Sequence, residues 1–172
     1  DAEAGITYAR FRLSTAGGLA PTGAAADGEV EDYRGLLRDP AIPATVYVEE
    51  SANWPNPVIG EDPDGAGPAQ AFGFDSFSSP GWAVHGVADG AGDTMLVGAG
   101  TYLSAPYVYK SDLTIRGATG VATDVVIDGS ILLVEGSSTL LVADDNVTIQ
   151  DLRVTGSPSG SGIRASYYGG TV

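Results

Sequence analysis

The side chains best able to do chemistry in this chain are acidic and aromatic. Within the segment Asn53 to Gly67 runs Glu61-Asp62-Pro63-Asp64-Gly65. Calcium takes about six to eight oxygens from a chain that wraps around it. A structural Ca²⁺ held by Glu61, Asp62 and Asp64 is therefore the one cofactor these residues suggest. Their spacing is not that of an EF-hand, and a solvated acidic loop is the competing reading. Glu29, Glu31 and Asp32 are a second acidic group open to the same two readings. Tyr102, Tyr107 and Tyr109, with Tyr167 and Tyr168, offer flat rings that stack on pyranose faces, or that simply pack outward on strands. His85 is the only histidine. Without a spaced Ser or Cys partner it makes no nucleophile–base pair, and it reads as a helix-surface or partly buried residue. Asn146-Val147-Thr148 fits the N-glycosylation acceptor pattern. Ser157-Pro158-Ser159-Gly160-Ser161 serves equally as an O-glycan acceptor or a plain turn.

Composition narrows the partners. The 172 residues make room for one domain of ordinary size and a small appendage. A net charge of −14 repels phosphates and excludes nucleic acid as a natural partner, while leaving divalent cations, basic surfaces and neutral glycans. There is no cysteine, hence no disulfide and no thiolate chemistry. No apolar run approaches the roughly 20 residues of a membrane helix. Asp1-Ala2-Glu3-Ala4 lacks the basic start and apolar core of an export signal, so an exported protein would have lost its address or carry it upstream. With 25 glycines and 10 prolines, the chain suits β-structure with many turns.

Three zones must position these groups. In the first, residues 1–37, Thr7 to Leu13 alternates with the period of a half-buried strand, and Glu29-Val30-Glu31-Asp32-Tyr33 begins another. Arg38-Asp39-Pro40-Ala41-Ile42-Pro43 reads as a linker, since proline fixes φ and withholds an amide donor. The second zone, Ala44 to about Gly92, opens with the strand Thr45 to Val48 and ends with a short helix near Ser79 to Ala88. There Ser79 is the expected N-cap, Pro80 the first helical residue, and Trp82, Ala83 and Val87 share a face. The third zone, from Asp93, is a ladder of short apolar runs: Thr94–Val97, Tyr107–Tyr109, Leu113–Ile115, Val125–Ile127, Leu140–Val142, Val147–Ile149 and Leu152–Val154, with Gly162–Arg164 starting another. Turns such as Gly98–Tyr102, Arg116–Ala118, Asp128-Gly129 and Thr155-Gly156 separate them. Strands this short suit stacked turns of a solenoid better than a sandwich.

Two resemblances bear on this organisation. Tyr8-Ala9-Arg10-Phe11-Arg12 and Gly28-Glu29-Val30-Glu31-Asp32-Tyr33 resemble the C-terminal end of the GEVED domain, a β-sandwich-like module of large secreted and cell-surface bacterial proteins. Gly92 to Tyr102 is similar to the opening coil of pectin-lyase-like right-handed parallel β-helices. Leu113 to Ala118, Val126 to Gly129 and Asn146 to Gly156 continue that pattern in order, and Trp82 to Ala88 stands where the family's capping helix would be. The fold implied is all-β: a partial GEVED segment over 1–37, a linker over 38–43, and the first coils of a parallel β-helix over 44–172.

The second resemblance also implies chemistry to weigh. Pectate-lyase-like enzymes use a calcium-binding carboxylate cluster with an arginine base, and polygalacturonase-like ones use paired aspartates. Asp144, Asp145 and Asp151 with Arg153 or Arg164 are the residues available for those parts, yet Asp144-Asp145-Asn146 and Asp128 also read as turn residues capping their own backbone. No family active-site motif is present. The sequence therefore reads as a secreted or cell-surface scaffold, whose partners are other copies of itself or the rest of a larger surface protein. Head-to-tail strand pairing of its N-terminal strands and its last coil would give a filament. A polysaccharide lyase or hydrolase fragment and a glycan-binding adhesin are the alternatives.

Overall fold

The computed structural model describes residues 5–15, 20, 27–37, 43–132, 136–157 and 159–166. Most of the expected linker and the pair Tyr167 and Tyr168 lie outside them.

Alternating side chains fold the first zone into a hairpin. Strands β1 (Gly5–Leu13) and β2 (Glu29–Leu37) pair antiparallel from Gly5 opposite Leu37 to Leu13 opposite Glu29. Arg10 faces Asp32 and donates two hydrogen bonds to its carboxylate at 2.6 and 2.7 Å. That contact holds the Asp32 carboxyl below, and the Arg10 guanidinium above, their ordinary values. Both side chains are exposed, so water screens most of the attraction. Phe11 meets Tyr33 diagonally, edge to face at 5.5 Å. The hairpin makes a two-stranded sheet of its own, and Tyr8, Phe11, Leu13, Val30 and Tyr33 are all exposed on it. A lone hairpin of this kind has little stability in water.

The rest of the described chain is strand joined by turns. It holds β3 (Thr45–Val48), β4 (Ser76–Phe77), α1 (Pro80–Ala83), β5 (Thr94–Val97), β6 (Gly100–Leu103), β7 (Tyr107–Val108), β8 (Thr114–Gly117), β9 (Val125–Asp128), β10 (Leu140–Val142), β11 (Thr148–Gln150), β12 (Arg153–Thr155) and β13 (Ile163–Ala165). The fold is all-β, and the strands beyond β2 form three parallel sheets. The first runs β4-β3-β5-β8-β11, the second β6-β9-β12 and the third β7-β10-β13. From β5 onward the chain visits the three sheets in the same order three times.

That order brings equivalent residues into register. Val46, Met95, Ile115 and Ile149 pair in sequence across the first sheet, and Tyr102, Ile127 and Val154 across the second. Val108 and Val142 pair on the third. These side chains belong to one apolar core, in which Val46, Met95, Val108, Ile115 and Ile127 are buried and Val142, Ile149 and Val154 only partly so. Corners repeat as well. Asp112 and Asn146, both with φ near +55°, sit one traverse apart, and the Asn146 amide donates to Asp112 Oδ1 at 3.0 Å. Short polar side chains that bond locally are the ones able to hold this left-handed backbone.

Two buried carboxylates are tied to backbone. Asp75 accepts hydrogen bonds from Gln70 N and Ala71 N at 2.9 Å each, and Asp93 accepts one from Ala88 N at 2.7 Å. The segment between β3 and β4 is anchored by Trp54, buried edge-on against Phe72.

Some expectations need correction, among them the turn at Arg116–Ala118, whose first two residues belong to β8. The helix is a single turn, Pro80–Ala83, and Ser79 makes no side-chain cap. Its buried face is Pro80, Ala83, Val84 and Val87, whereas Trp82 is 69% exposed. A single turn presents one narrow face inward, and Trp82 falls off it. Another correction concerns Gly98 to Tyr102, expected to be punctuation, in which β6 begins at Gly100. Glycine here serves as the entry to a strand whose Tyr102 is buried between exposed Thr101 and Leu103.

Candidate functional site

α1, β7 and the residues just after each gather four rings on one surface. Trp82 contacts His85 at 5.9 Å between ring centroids, His85 contacts Tyr109 at 5.7 Å, and Tyr109 contacts Tyr107 at 5.8 Å. The spacing of Trp82 and His85 along the chain puts both on the outer side of the turn that buries Ala83 and Val84. Tyr107 lies on β7 with its ring outward, opposite in phase to buried Val108. The Tyr109 hydroxyl and His85 Nδ1 are 2.6 Å apart, which fixes the attitude of both rings. Lys110 Nζ lies 5.2 Å from the centre of the Tyr109 ring, within cation–π range.

A cleft of about 370 Å³ opens beside this row. Tyr107, Leu141 and Arg164 line it, and they occupy one outward ladder of the third sheet, in register across β7, β10 and β13. Ser137 and Ser138 also line it, and among the described residues the buried Ser138 hydroxyl has no hydrogen-bond partner.

The residues singled out in the sequence scatter by comparison. Tyr107 and Tyr109 meet as neighbours, but Tyr102 is 4% exposed and no sugar face reaches it. Its hydroxyl donates to Gly98 O at 3.0 Å and more weakly to Val48 O at 3.3 Å. An inward phenol finds carbonyls in a β-turn corner as readily as an outward one finds water. Burial, aided by the carboxylates of Glu49 and Glu50, pushes the Tyr102 phenol well above its ordinary value of 10.0.

A pH dependence follows from that burial. The folded state holds this proton at pH values where the unfolded chain has lost it. Stability is full below about pH 10 and falls as pH rises further, by up to about 1.4 kcal/mol per pH unit for the one proton. Tyr102→Phe is expected to cost about 1 kcal/mol at neutral pH through the lost hydrogen bond. It is also expected to flatten the alkaline decline. Urea unfolding at about pH 8 and about pH 11 measures both effects; an unchanged alkaline slope would contradict the assignment.

Acidic candidates bond to backbone. Asp62 Oδ1 accepts from Asp64 N at 3.1 Å and Gly65 N at 2.8 Å, which lowers its carboxyl below the ordinary range. Asp64 Oδ2 accepts from Ala69 N at 3.3 Å, and its carboxylate lies so close to Gly67 that a Cβ there would be 2.1 Å away. Glu61 is exposed. Among the described residues no group of three His, Cys, Asp or Glu is gathered so as to hold a metal ion. In the other acidic group, Asp32 is paired with Arg10, and Glu31 accepts a hydrogen bond from Tyr33. Asp128 accepts from Ser130 N at 2.9 Å and Asp144 from Asp145 N at 2.9 Å, the turn roles that compete with catalysis. Arg153 is exposed on the second sheet and Arg164 on the third, so they do not share a strand ladder.

Trp82 was the ring the sequence reading missed as a surface group. The signal was present: Trp82 and His85 are three residues apart, and with Gly81 inside it and Gly86 just beyond, the helix is too short to bury every apolar side chain.

No family model matches the chain, and no curated protein or solved structure matches it either. Among the described residues no helix is long and apolar enough to cross a membrane.

Proposed function

We propose that this chain is a structural module of a secreted or cell-surface bacterial protein. Its body is a right-handed parallel β-helix of pectin-lyase-like kind, preceded by the closing strands of a GEVED-like module. One observation carries the reading: inward residues at equivalent positions stay in parallel register through successive visits to the same three sheets, as in the series Val46, Met95, Ile115, Ile149. A body built this way is stiff, because each strand bonds to the strands on either side, and it extends by adding more of the same. An acidic, cysteine-free, glycine-rich composition fits a surface location.

Self-assembly belongs to the same proposal. Parallel strands added beside β11, β12 and β13 by a second copy would cover Ile149 and Val154, which pack against the core but remain partly exposed. A head-to-tail contact of that type does not close on itself and yields a filament. The hairpin is poorly matched to that edge, since its strands are nine residues long and those of β11 to β13 three. Stacking of body on body is the better geometry.

The test is the molar mass of the native material by light scattering, with electron microscopy of the same sample. A polymer with a regular axial repeat is the expected result. A monodisperse monomer across a wide concentration range would overturn the filament and leave the structural role to a longer surface protein.

A further inference from the structure

We propose that Trp82, His85, Tyr109 and Tyr107 form a platform for a single soluble chain of β-linked, gluco-configured pyranose sugars, with the cleft beside Tyr107 receiving one end of it. The proposal does not depend on whether copies of the body stack. Sugars of this configuration carry their substituents equatorially, so both faces of each ring are flat and made of C–H groups, while hydroxyls line the edges. The platform has the complementary alternation. Ring centroids recur at steps of 5.9, 5.7 and 5.8 Å, with Trp82 and His85 exposed and Tyr109 partly buried. Polar atoms sit at their edges: the indole N–H and the Tyr107 phenol, beside the Tyr109 hydroxyl and His85 Nδ1 that bond to each other. Lys110, held over Tyr109, adds further donors within reach of sugar hydroxyls.

The tilt between rings selects the form of the ligand. Neighbouring planes meet at 43°, 56° and 43° along the row. A rigid flat surface, such as the face of a polysaccharide crystal, lies against only one such ring at a time. A single chain turns about its glycosidic bonds and follows all of them. The Tyr109–His85 hydrogen bond keeps two of the rings in place before the ligand arrives, which reduces the entropy lost on binding.

The cleft supplies what a bare aromatic row lacks. Its volume of about 370 Å³ is of the size that holds a small ligand. Ser138 brings a buried hydroxyl that has no hydrogen-bond partner among the described residues. Such a group is costly unless something satisfies it, and a sugar hydroxyl both donates and accepts. Arg164, exposed on the same wall, offers further donors to the chain's end.

The two tryptophans make the test direct. Trp82 is 69% exposed and Trp54 is 6% exposed, so acrylamide quenching of the intact chain reports chiefly on Trp82. Cellohexaose and chitohexaose are the probes, each titrated to about 10 mM, a range that captures weak binding. The expected result is saturable protection of Trp82 by at least one hexamer. Retention on microcrystalline cellulose should be absent. Tyr109→Ala should weaken hexamer affinity roughly tenfold or more, followed by isothermal titration. Trp82→Ala should do the same, and Tyr8→Ala, which removes an exposed ring from the hairpin, should leave it unchanged. Melting curves of each variant confirm that the fold is retained. No saturable protection with either hexamer would overturn the proposal. So would retention on crystalline cellulose equal to hexamer binding, or an equal loss of affinity in Tyr8→Ala.

Discussion

Ile115→Ala is expected to destabilise the body by about 2–5 kcal/mol, the range for deleting a fully buried aliphatic side chain from a core that cannot collapse around the space. Ile115 is 1% exposed and lies between Met95 and Ile149 in its ladder. The strand on either side is held by parallel backbone hydrogen bonds, so neither neighbour can move in to fill the void. The measurement is the shift in urea midpoint at constant slope. Ile149→Ala, one register further on, removes the same atoms from a partly exposed site and should cost less in the monomer. If copies stack on that edge, the Ile149 difference should grow in the assembled material, because the side chain is then covered on both sides. Equal losses for the two variants in the monomer would contradict the description of where the core thins.

Gly117→Ala is expected to be comparably severe, for the opposite reason. A Cβ at Gly117 would stand 1.9 Å from the backbone oxygen of Asp151. The obstacle is main chain, which has no rotamer with which to withdraw. Either β8 or the corner at Asp151 must shift, and Asp151 already holds a left-handed φ of 56°. Overpacking of this kind costs about 1–3 kcal/mol where side chains can yield, and more is expected here. Gly120→Ala is the comparison. Gly120 has φ +71° with nothing within 4 Å of the added methyl group, so it isolates the backbone penalty alone, about 1–2 kcal/mol. Thermal unfolding of the two variants should rank Gly117→Ala clearly below Gly120→Ala. The reverse order would mean that the approach of Asp151 to β8 is misplaced.

Much of this architecture was readable before any coordinates. Strands β3, β5 and β10 fall on the runs expected for them, and β8, β9, β11, β12 and β13 are displaced by a residue or so at their ends. Alternation of apolar and polar residues marks a strand locally, whatever it later pairs with. The acidic turn residues were also legible, since Asp128 and Asp144 need only their own backbone to act as they do. β4 was not. Two residues carry no period, and Ser76 and Phe77 become a strand only because β3 lies alongside to accept them.

The aromatic residues divide differently. Tyr102, Tyr107 and Tyr109 look alike in the sequence, each beside apolar neighbours in a short run, yet Tyr102 turns inward and Tyr107 outward. Leu103, more apolar than Tyr102, is the one left in water at 61% exposure. Hydrophobicity ranks side chains but does not choose the face. That choice depends on phase within the strand, which the turns before it set, and on carbonyls from Gly98 and Val48 that satisfy the buried phenol.

By itself, then, the sequence determined that the chain is β-structure, where most strands lie, and that Asp128 and Asp144 bond to their own backbone, because these follow from interactions only a few residues long. The tertiary structure alone decided which rings are buried, and that Trp82 and His85 meet Tyr109 and Tyr107 from across about two dozen residues of chain. Such meetings are set by the register between successive visits to the same sheet. A slip of one residue in that register would turn Tyr107 to the inner face and break the row.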